Sequence, residues 1–252
     1  MKKVPEEKVF QKVYPFTTEN IGEYFKRLDL KDKDVFTVGS SLDQAFNALL
    51  LGAKNITVFD LNANTEEFYK LKRDMILSVP REKLFSEVLK QNKVSLDPDN
   101  FPKETVMHIN PYLKNDYYFN VLREKLQEDR ISIVYGDIFN IDDYLEKQKF
   151  DCMIFSNILQ YLDFFAKNED SYQFLSKNFQ KWKEYLNKDG IMQLLYLYSF
   201  SMEDAIKPNN YLSTYNLRKV MAALKGNELM IEWFDDSFNN EKDAIVTYTK
   251  KM

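Results

Sequence analysis

Short apolar runs alternate with helical stretches along most of this chain, and this alternation limits the fold more than any other feature. Five such runs are typical of buried strands: DVFTVG, NITVFD, ISIVYGD, FDCMIFSN and IMQLLYLYS. Two more runs, ELMIEWFD and AIVTYTKK, flank a short polar turn and predict an antiparallel hairpin at the end. Strands separated by helices form a parallel sheet with right-handed crossovers. We therefore predict an α/β fold with a three-layer, doubly wound, mostly parallel seven-stranded sheet and a C-terminal hairpin.

The length of the chain predicts a single domain. Its 252 residues are enough to bury one large core, so we assign residues 1–252 to one domain. Residues 1–29 are expected to form an N-terminal cap segment and a helix that begins at Thr18. Residues 80–129 interrupt the alternation with two helical stretches around a proline-bearing segment, which predicts a helical insertion with a long loop before the third strand. A later helix is expected to end at Gly190.

Composition excludes several classes of function. The net charge of −4 leaves no basic surplus for a nucleic-acid backbone. The only cysteine, Cys152, and the only histidine, His108, allow no internal disulfide and disfavour a zinc site. Cys152 lies in an apolar run and is interpreted as a buried thiol, and His108 as a structural or solvent-facing imidazole in an irregular stretch. Without a leader-like or membrane-spanning apolar stretch, we expect a cytoplasmic protein that works without a protein-bound metal.

The turn after the first strand is the first place to look for a ligand, because ligands of such sheets bind beyond the carboxyl ends of the strands. There Gly39 allows a tight turn, and Ser40 and Ser41 offer hydroxyl and N–H groups. Asp43 places a carboxylate at the helix entry, which is unfavourable for pyrophosphate but suits a ligand with an ammonium group. Asp43 could equally be a helix N-cap. The G-x-G-x-x-G fingerprint is absent, which disfavours an NAD-dependent oxidoreductase.

The second strand ends in an acid. Asp60 is followed by Leu61 and Asn62, about 20 residues past the glycine turn, where a carboxylate accepts hydrogen bonds from ribose hydroxyls. A carboxylate suits two adjacent hydroxyls because it only accepts hydrogen bonds. Asn62 could instead cap the following helix.

Polar groups also follow the third and fourth strands. Asp137 could accept from an adenine amine, or could only cap a turn, and Ile138 or Phe139 could lie against the flat ring. Ser156 and Asn157 form a polar pair at the rim of a buried strand, where such groups more often face a ligand or water than the core.

As a set, these strand ends resemble the class I S-adenosylmethionine-dependent transferases over about residues 30–252, although residues 80–129 have no counterpart there. Most members carry an acid two places before the first glycine and then two further glycines, where this chain has Thr37, Ser41 and Asp43. The stretch SSLDQAFNALLLGAKNITVFDLN is more similar to the S-adenosylmethionine:diacylglycerol 3-amino-3-carboxypropyl transferases of betaine-lipid synthesis and their relatives. Those enzymes share an S-x-x-D-type turn, a helix ending in LLAG and a strand ending in VDLN. The resemblance implies S-adenosylmethionine as cofactor, with Asp43 at its methionine moiety and Asp60 at its ribose.

The leading hypothesis is therefore a transferase that moves a methyl or aminocarboxypropyl group to a small-molecule or lipid acceptor. The sulfonium supplies the reactivity, and the protein orients donor and acceptor. No catalytic residue can be assigned; Tyr14, Tyr161 and His108 are candidate bases only by side-chain chemistry. The alternative is a catalytically inactive relative that binds a nucleotide or a protein partner. Thr37 and the missing glycines favour this alternative, and the retained acids argue against it.

Overall fold

The computed structural model describes residues 13–91, 103–146, 148–166, 169–197, 217–235 and 242–251. Its contacts group into two compact units, Met1–Leu145 and Glu146–Met252. Within these ranges, seven strands form one sheet in the order β3-β2-β1-β4-β5-β7-β6. Their bounds are β1 Asp34–Val38, β2 Asn55–Asp60, β3 Ile131–Tyr135, β4 Phe150–Phe155, β5 Leu186–Leu197, β6 Leu229–Asp235 and β7 Lys242–Thr249.

The first unit is built on the parallel strands β1, β2 and β3. β1 pairs with β2, and β2 pairs with β3, so that Val38 lies beside Phe59 and Asp60 beside Tyr135. The carboxyl ends of the three strands therefore lie side by side. The helices of this unit are α1 Ile21–Phe25, α2 Asp43–Leu50, α3 Thr65–Ser78, α4 Arg81–Gln91, α5 Lys103–Ile109 and α6 Asp116–Lys125.

The helices of the first unit follow from apolar spacing. All eight residues of α2 are buried, as expected for a helix packed in a core. In α3, Phe68, Met75 and Ile76 are buried on one face, together with the charged Lys72. Asn115 caps α6 by accepting the N–H of Tyr118 at 2.9 Å.

The second unit contains β4 and β5 in parallel, and the antiparallel pairs β5–β7 and β6–β7. Its helices are α7 Leu162–Ala166, α8 Ser171–Glu184 and α9 Leu217–Ala223. Asp170 caps α8 through the N–H of Gln173 at 3.0 Å. Phe155 of β4 packs on Trp182 of α8, with ring centroids 4.4 Å apart.

The predicted fold class is confirmed: a mostly parallel seven-stranded sheet has helices on both sides, an insertion before the third strand and a closing antiparallel hairpin. The single domain over residues 1–252 stays a prediction. Residues 1–12 of the expected N-terminal segment, and residues 92–102 and 198–216, lie outside the described residues. No helix in the described ranges is long and apolar enough to span a membrane.

Two local predictions were wrong. The segment containing His108 is not irregular but forms α5, because Val106 and Ile109 bury one face between bracketing prolines. The helix expected to end at Gly190 ends at Glu184, and Gly190 lies inside β5. A Cβ on Gly190 would lie 2.9 Å from the carbonyl oxygen of Asn187, so this glycine permits a tight bulge rather than a helix stop.

A third difference concerns the N-terminal helix, which is shorter than expected. α1 covers only Ile21–Phe25, although the apolar spacing extends further. The side chain of Asn20, at the N-cap position, does not cap the helix, so a start at Thr18 lacks that stabilisation.

Candidate functional site

The turn after β1 has an unusual backbone. The N–H of Gly39 donates to the carbonyl of Phe59 at 2.9 Å, and the N–H of Leu42 donates to the carbonyl of Gly39 at 2.7 Å. Ser40 and Leu42 have φ values of +44° and +68°, which side chains other than glycine rarely adopt. Each such residue costs about 1–3 kcal/mol and persists only where its surroundings hold it. The two left-handed residues therefore indicate that contacts with the surrounding structure hold this turn in its shape.

Gly39 lies directly against Asp60. A Cβ placed on Gly39 would lie 2.2 Å from Oδ2 of Asp60 and 2.8 Å from its Cγ. Only glycine fits beside this carboxylate, so the two predicted residues form one close-packed element.

The Asp60 carboxylate has hydrogen-bond donors on both oxygens. Its Oδ1 accepts the N–H of Asn62 at 2.9 Å, and its Oδ2 accepts the hydroxyl of Thr65 at 2.7 Å. Burial raises the pKa of Asp60, and these bonds, with the N–H groups of Ser40 and Leu61, oppose that rise. Asp60 as a residue is partly exposed, and these donors hold its carboxylate in place.

The residues after Asp60 form a turn. Leu61 is partly exposed, and Asn62 is 8% exposed. The Oδ1 of Asn62 accepts the N–H of Asn64 at 2.9 Å, just before α3. The N-cap position of α3 itself is Asn64, so Asn62 stabilises the turn that leads into the helix.

The end of β3 adjoins the same place. Gly136 donates its N–H to the carbonyl of Asp60 at 2.8 Å. Asp137 caps the 3-10 helix Ile138–Asp143 by accepting the N–H of Phe139 at 2.9 Å. The side chains of Ile138 and Phe139 are only 6% and 4% exposed, so they pack in the core.

An aromatic residue that was not predicted lies at this end of β3. A Cβ on Gly136 would lie 2.8 Å from the ring of Tyr144 and 2.9 Å from the ring of Phe59. Tyr144 meets Phe59 edge to face at 5.5 Å between centroids and remains 40% exposed. The sequence signal is Gly136 alone, because a glycine at a strand end allows a ring to approach the backbone.

Asp43 is not exposed to the site edge but lies fully buried. Its Oδ1 accepts the ammonium of Lys72 at 2.6 Å and the hydroxyl of Tyr112 at 2.7 Å. Its Oδ2 accepts the N–H of Thr17 at 2.6 Å and the hydroxyl of Ser41 at 2.9 Å. The side chains of Asp43 and Lys72 are both 0% exposed. The cation expected from a ligand is thus supplied by the chain itself, and these contacts favour a structural role for Asp43, whose role as a ligand contact stays a prediction.

Lys72 and Tyr112 were missed by sequence reasoning. Burial lowers the pKa of Lys72, and the neighbouring Asp43 carboxylate opposes this. Burial and the Asp43 carboxylate raise the pKa of Tyr112 well above its usual value. The only available signal was a lysine on the apolar face of α3, four residues after Phe68 and three before Met75.

Ser156 and Asn157 belong to the second unit and follow β4. Ser156 is 0% exposed and precedes the 3-10 helix Asn157–Tyr161, in which the N–H of Ile158 donates to the Ser156 carbonyl at 2.7 Å. Asn157 is partly exposed. Their predicted place at the carboxyl end of a strand is therefore observed, and their role toward a ligand stays a prediction.

The remaining candidates differ in accessibility. Tyr14 is 50% exposed, His108 is exposed on α5, and Tyr161 is partly exposed. Cys152 is 3% exposed, and burial raises its pKa to about 12, which makes the thiol a poor nucleophile. Among the described residues, no three His, Cys, Asp or Glu side chains lie together as a metal site.

The strand order and the glycine–acid pair together define a Rossmann-like fold with its candidate site at the carboxyl ends of β1, β2 and β3. No protein-family model matches the chain, and no curated protein matches its sequence.

Solved structures that are similar to this chain in fold include the following three. The N-methyltransferase NodS from Bradyrhizobium japonicum WM9, in complex with S-adenosyl-L-homocysteine, has a TM-score of 0.48 and 11% identity, over 91% of this chain and 85% of that one. A methyltransferase from Pyrococcus furiosus has a TM-score of 0.43 and 12% identity, over 92% and 83%. An rRNA methylase from Streptococcus thermophilus has a TM-score of 0.42 and 11% identity, over 100% and 99%. At such scores and identities, none of the three carries an argument about function.

Proposed function

We propose that this chain binds S-adenosylmethionine and transfers a methyl or 3-amino-3-carboxypropyl group from it to a small-molecule or lipid acceptor. The observation that carries the proposal is the contact between Gly39 and the Asp60 carboxylate, at adjacent carboxyl ends of β1 and β2. The sequence resemblance of the SSLDQAFNALLLGAKNITVFDLN stretch supplies the identity of the donor.

Asp60 is proposed to bind the ribose. Its Oδ2 already accepts a hydroxyl, that of Thr65, at 2.7 Å. A partly exposed carboxylate with oxygens that accept hydroxyl donors matches the two adjacent hydroxyls of a ribose. Gly39 keeps the neighbouring backbone close enough for the ligand to lie across the turn.

Tyr144 is proposed to contact the adenine in place of Ile138 and Phe139. The latter two are buried, whereas the Tyr144 ring is 40% exposed beside Gly136. Aromatic rings bind nucleobases by stacking, and every base offers such a face. Asp137, partly exposed at the same strand end, remains the proposed partner for the adenine amine.

The amino-acid part of the donor is proposed to lie at the turn before α2. Because Lys72 neutralises Asp43, the buried carboxylate no longer opposes an anion at the start of this helix. The ligand's carboxylate, rather than its ammonium, is then the group to which the hydroxyl of the partly exposed Ser40 would donate.

The acceptor side of the reaction follows from the chemistry of the donor. The sulfonium is electrophilic, so the protein's task is to align an acceptor atom with the methyl or aminocarboxypropyl carbon. An edge-to-face pair of exposed rings, Tyr117 and Tyr118, with centroids 5.4 Å apart, offers one apolar surface for a lipid or other greasy acceptor.

The proposal is tested by calorimetric titration with S-adenosylhomocysteine, which cannot react and so reports binding alone. We expect saturable binding. Product analysis with acceptors then separates the two reactions, since methyl transfer leaves S-adenosylhomocysteine and aminocarboxypropyl transfer leaves methylthioadenosine. A folded protein that binds neither S-adenosylhomocysteine nor methylthioadenosine would overturn the proposal. That result would favour the alternative, a protein-interaction module on a transferase scaffold.

A further inference from the structure

Lys72 is a buried lysine whose donors are all used by groups near the turn. Its ammonium donates to the carbonyl of Pro15 at 2.8 Å, to the carbonyl of Ser41 at 2.8 Å and to Oδ1 of Asp43 at 2.6 Å. It also lies 4.4 Å from the centroid of the Phe16 ring. An ammonium has three N–H donors, so all three are satisfied without solvent.

The contacts of Lys72 and Asp43 join three distant parts of the first unit. Together with Pro15, Ser41 and Tyr112 they form what we call the Asp43–Lys72 cluster. One part is the N-terminal segment, which also bonds Asp43 through the Thr17 N–H. The others are the turn after β1 and the insertion. Thr17, Lys72 and Tyr112, which lie 26, 29 and 69 positions from Asp43 in the chain, thereby meet on one carboxylate.

Within this cluster, the turn is held at the residue between its two left-handed positions. Ser41 lies between Ser40 at φ +44° and Leu42 at φ +68°. Lys72 fixes the Ser41 carbonyl, and Asp43 accepts the Ser41 hydroxyl. Such backbone conformations persist only where surrounding contacts over-determine them.

A buried ion pair is a costly way to fill space. Removing two charges from water is often less favourable than apolar packing of the same volume, so packing alone does not account for the pair. An ammonium that donates to two backbone carbonyls does something that an apolar residue cannot, because it fixes the path of the backbone.

We propose that Lys72 is a positioning residue: through Ser41 and Asp43 it holds the turn in the shape that seats Gly39 against the Asp60 carboxylate. The effect of Lys72 on ligand affinity rests on the proposed function, whereas its effect on the turn does not. If the turn adopts this shape in only a fraction of the molecules, the apparent affinity of the protein for the nucleoside falls in proportion to that fraction.

The test compares Lys72→Met with Arg123→Met. Arg123 is a matched control because it also donates to two backbone carbonyls, those of Ile76 and Val79, and lies 4.9 Å from an aromatic ring, that of Phe119. Its two hydrogen bonds join α6 to the end of α3 and do not involve the turn. Both variants are measured under conditions in which circular dichroism shows them to be folded.

Two readouts separate positioning from stability. Amide hydrogen exchange of the ligand-free protein at Leu42 and Thr17 reports the turn and the N-terminal segment, since both N–H groups are hydrogen-bonded there. Calorimetry gives the Kd for S-adenosylhomocysteine. In Lys72→Met we expect faster exchange at these two amides and roughly tenfold weaker binding, the result of a competent population near one tenth. In Arg123→Met we expect neither change.

Unchanged exchange at Leu42 and Thr17 in folded Lys72→Met would overturn the proposal, as would exchange that rises equally in Arg123→Met. If the wild-type protein does not bind the nucleoside, the proposed function fails and the exchange result alone decides the positioning role. If Lys72→Met does not fold, Tyr112→Phe replaces it, because this change removes only the hydroxyl donated to Asp43. The same two amides must then exchange faster, or the proposal is wrong.

Discussion

Gly39 and Asp60 approach so closely that a single methyl group on the glycine would lie 2.2 Å from the carboxylate oxygen Oδ2. Gly39 follows β1 and Asp60 ends the neighbouring β2. The N–H of Gly39 also donates to the carbonyl of Phe59, the residue before Asp60, at 2.9 Å. The carboxylate therefore cannot keep its position if the glycine gains a side chain.

We expect Gly39→Ala to weaken S-adenosylhomocysteine binding by about tenfold or more. The alanine would displace the Asp60 carboxylate, and the hydrogen bonds that the ligand then loses are worth about 1.5 kcal/mol or more. Calorimetry measures the effect. Gly22→Ala is the control, because a Cβ there meets its nearest neighbour at an ordinary 3.5 Å. Equal affinities in wild type and Gly39→Ala would show that the ligand does not use this carboxylate.

Asp60→Ala removes the proposed ribose acceptor. We expect binding to weaken by about 1.5–3 kcal/mol, roughly 10- to 150-fold, the usual value for hydrogen bonds to a charged group. Asp34→Ala is the control, because it also removes one carboxylate, but at the amino end of β1. If the folded Asp60 variant binds as well as the control, the ribose assignment is wrong.

The raised pKa of Asp60 predicts a pH dependence with a definite sign. Binding of the two ribose hydroxyls needs the ionised carboxylate of Asp60. Burial places the pKa of Asp60 in the folded protein above the usual 3.8. The affinity for S-adenosylhomocysteine should therefore fall as the pH is lowered through this pKa. For stability the sign is opposite: the stabilising contribution is complete below pH 3.8 and is lost as the pH rises through the raised pKa. Titrations and urea unfolding over this pH range should show both slopes, and Asp60→Asn should show neither.

Tyr144→Ala tests the aromatic residue beside Gly136. Loss of a stacking ring is expected to cost about 1–3 kcal/mol of nucleoside binding, and Tyr144→Phe should retain most of the affinity. Tyr172→Ala, which alters a ring that is 39% exposed, is the control for the 40% exposed Tyr144. Fluorescence or calorimetric titration with methylthioadenosine suffices, and an unaffected Tyr144→Ala would remove this ring from the site.

Asp43→Asn should destabilise the fold strongly, because it leaves the Lys72 ammonium buried without its counter-ion. We expect a loss of about 3–5 kcal/mol in the free energy of unfolding, measured with urea. The double variant Asp43→Asn with Lys72→Met should lose less than the sum of the two single changes. Strict additivity would mean that the two side chains do not stabilise each other.

The sequence predicted the strands that carry the site closely. The stretches DVFTVG and NITVFD correspond to Asp34–Val38 and Asn55–Asp60, since runs of β-branched and aromatic residues between turn signals leave little choice of structure. The sequence also placed Gly39, Asp60 and Asp137 at one edge of the sheet, because parallel strands bring their carboxyl ends together. Their role toward a ligand stays a prediction.

What the sequence did not predict depends on contacts between distant residues. Asp43 has the same local signature whether it caps a helix, meets a ligand or pairs with Lys72, and only the fold brings that lysine, 29 residues later, to 2.6 Å. α5 was missed for a similar reason, because its helical form depends on the burial of Val106 and Ile109 rather than on a strong period.

The hydroxyl of Tyr112 has a consequence for how this protein can change. Tyr112 belongs to the insertion, yet it donates to Asp43 at 2.7 Å, and its N–H donates to Asn47 of α2 at 3.1 Å. Residues 80–129 therefore cannot be replaced, by recombination or by design, without changing contacts of the turn after β1. Substitutions there should show epistasis with those at positions 43 and 72, so that the insertion and the turn evolve as one unit.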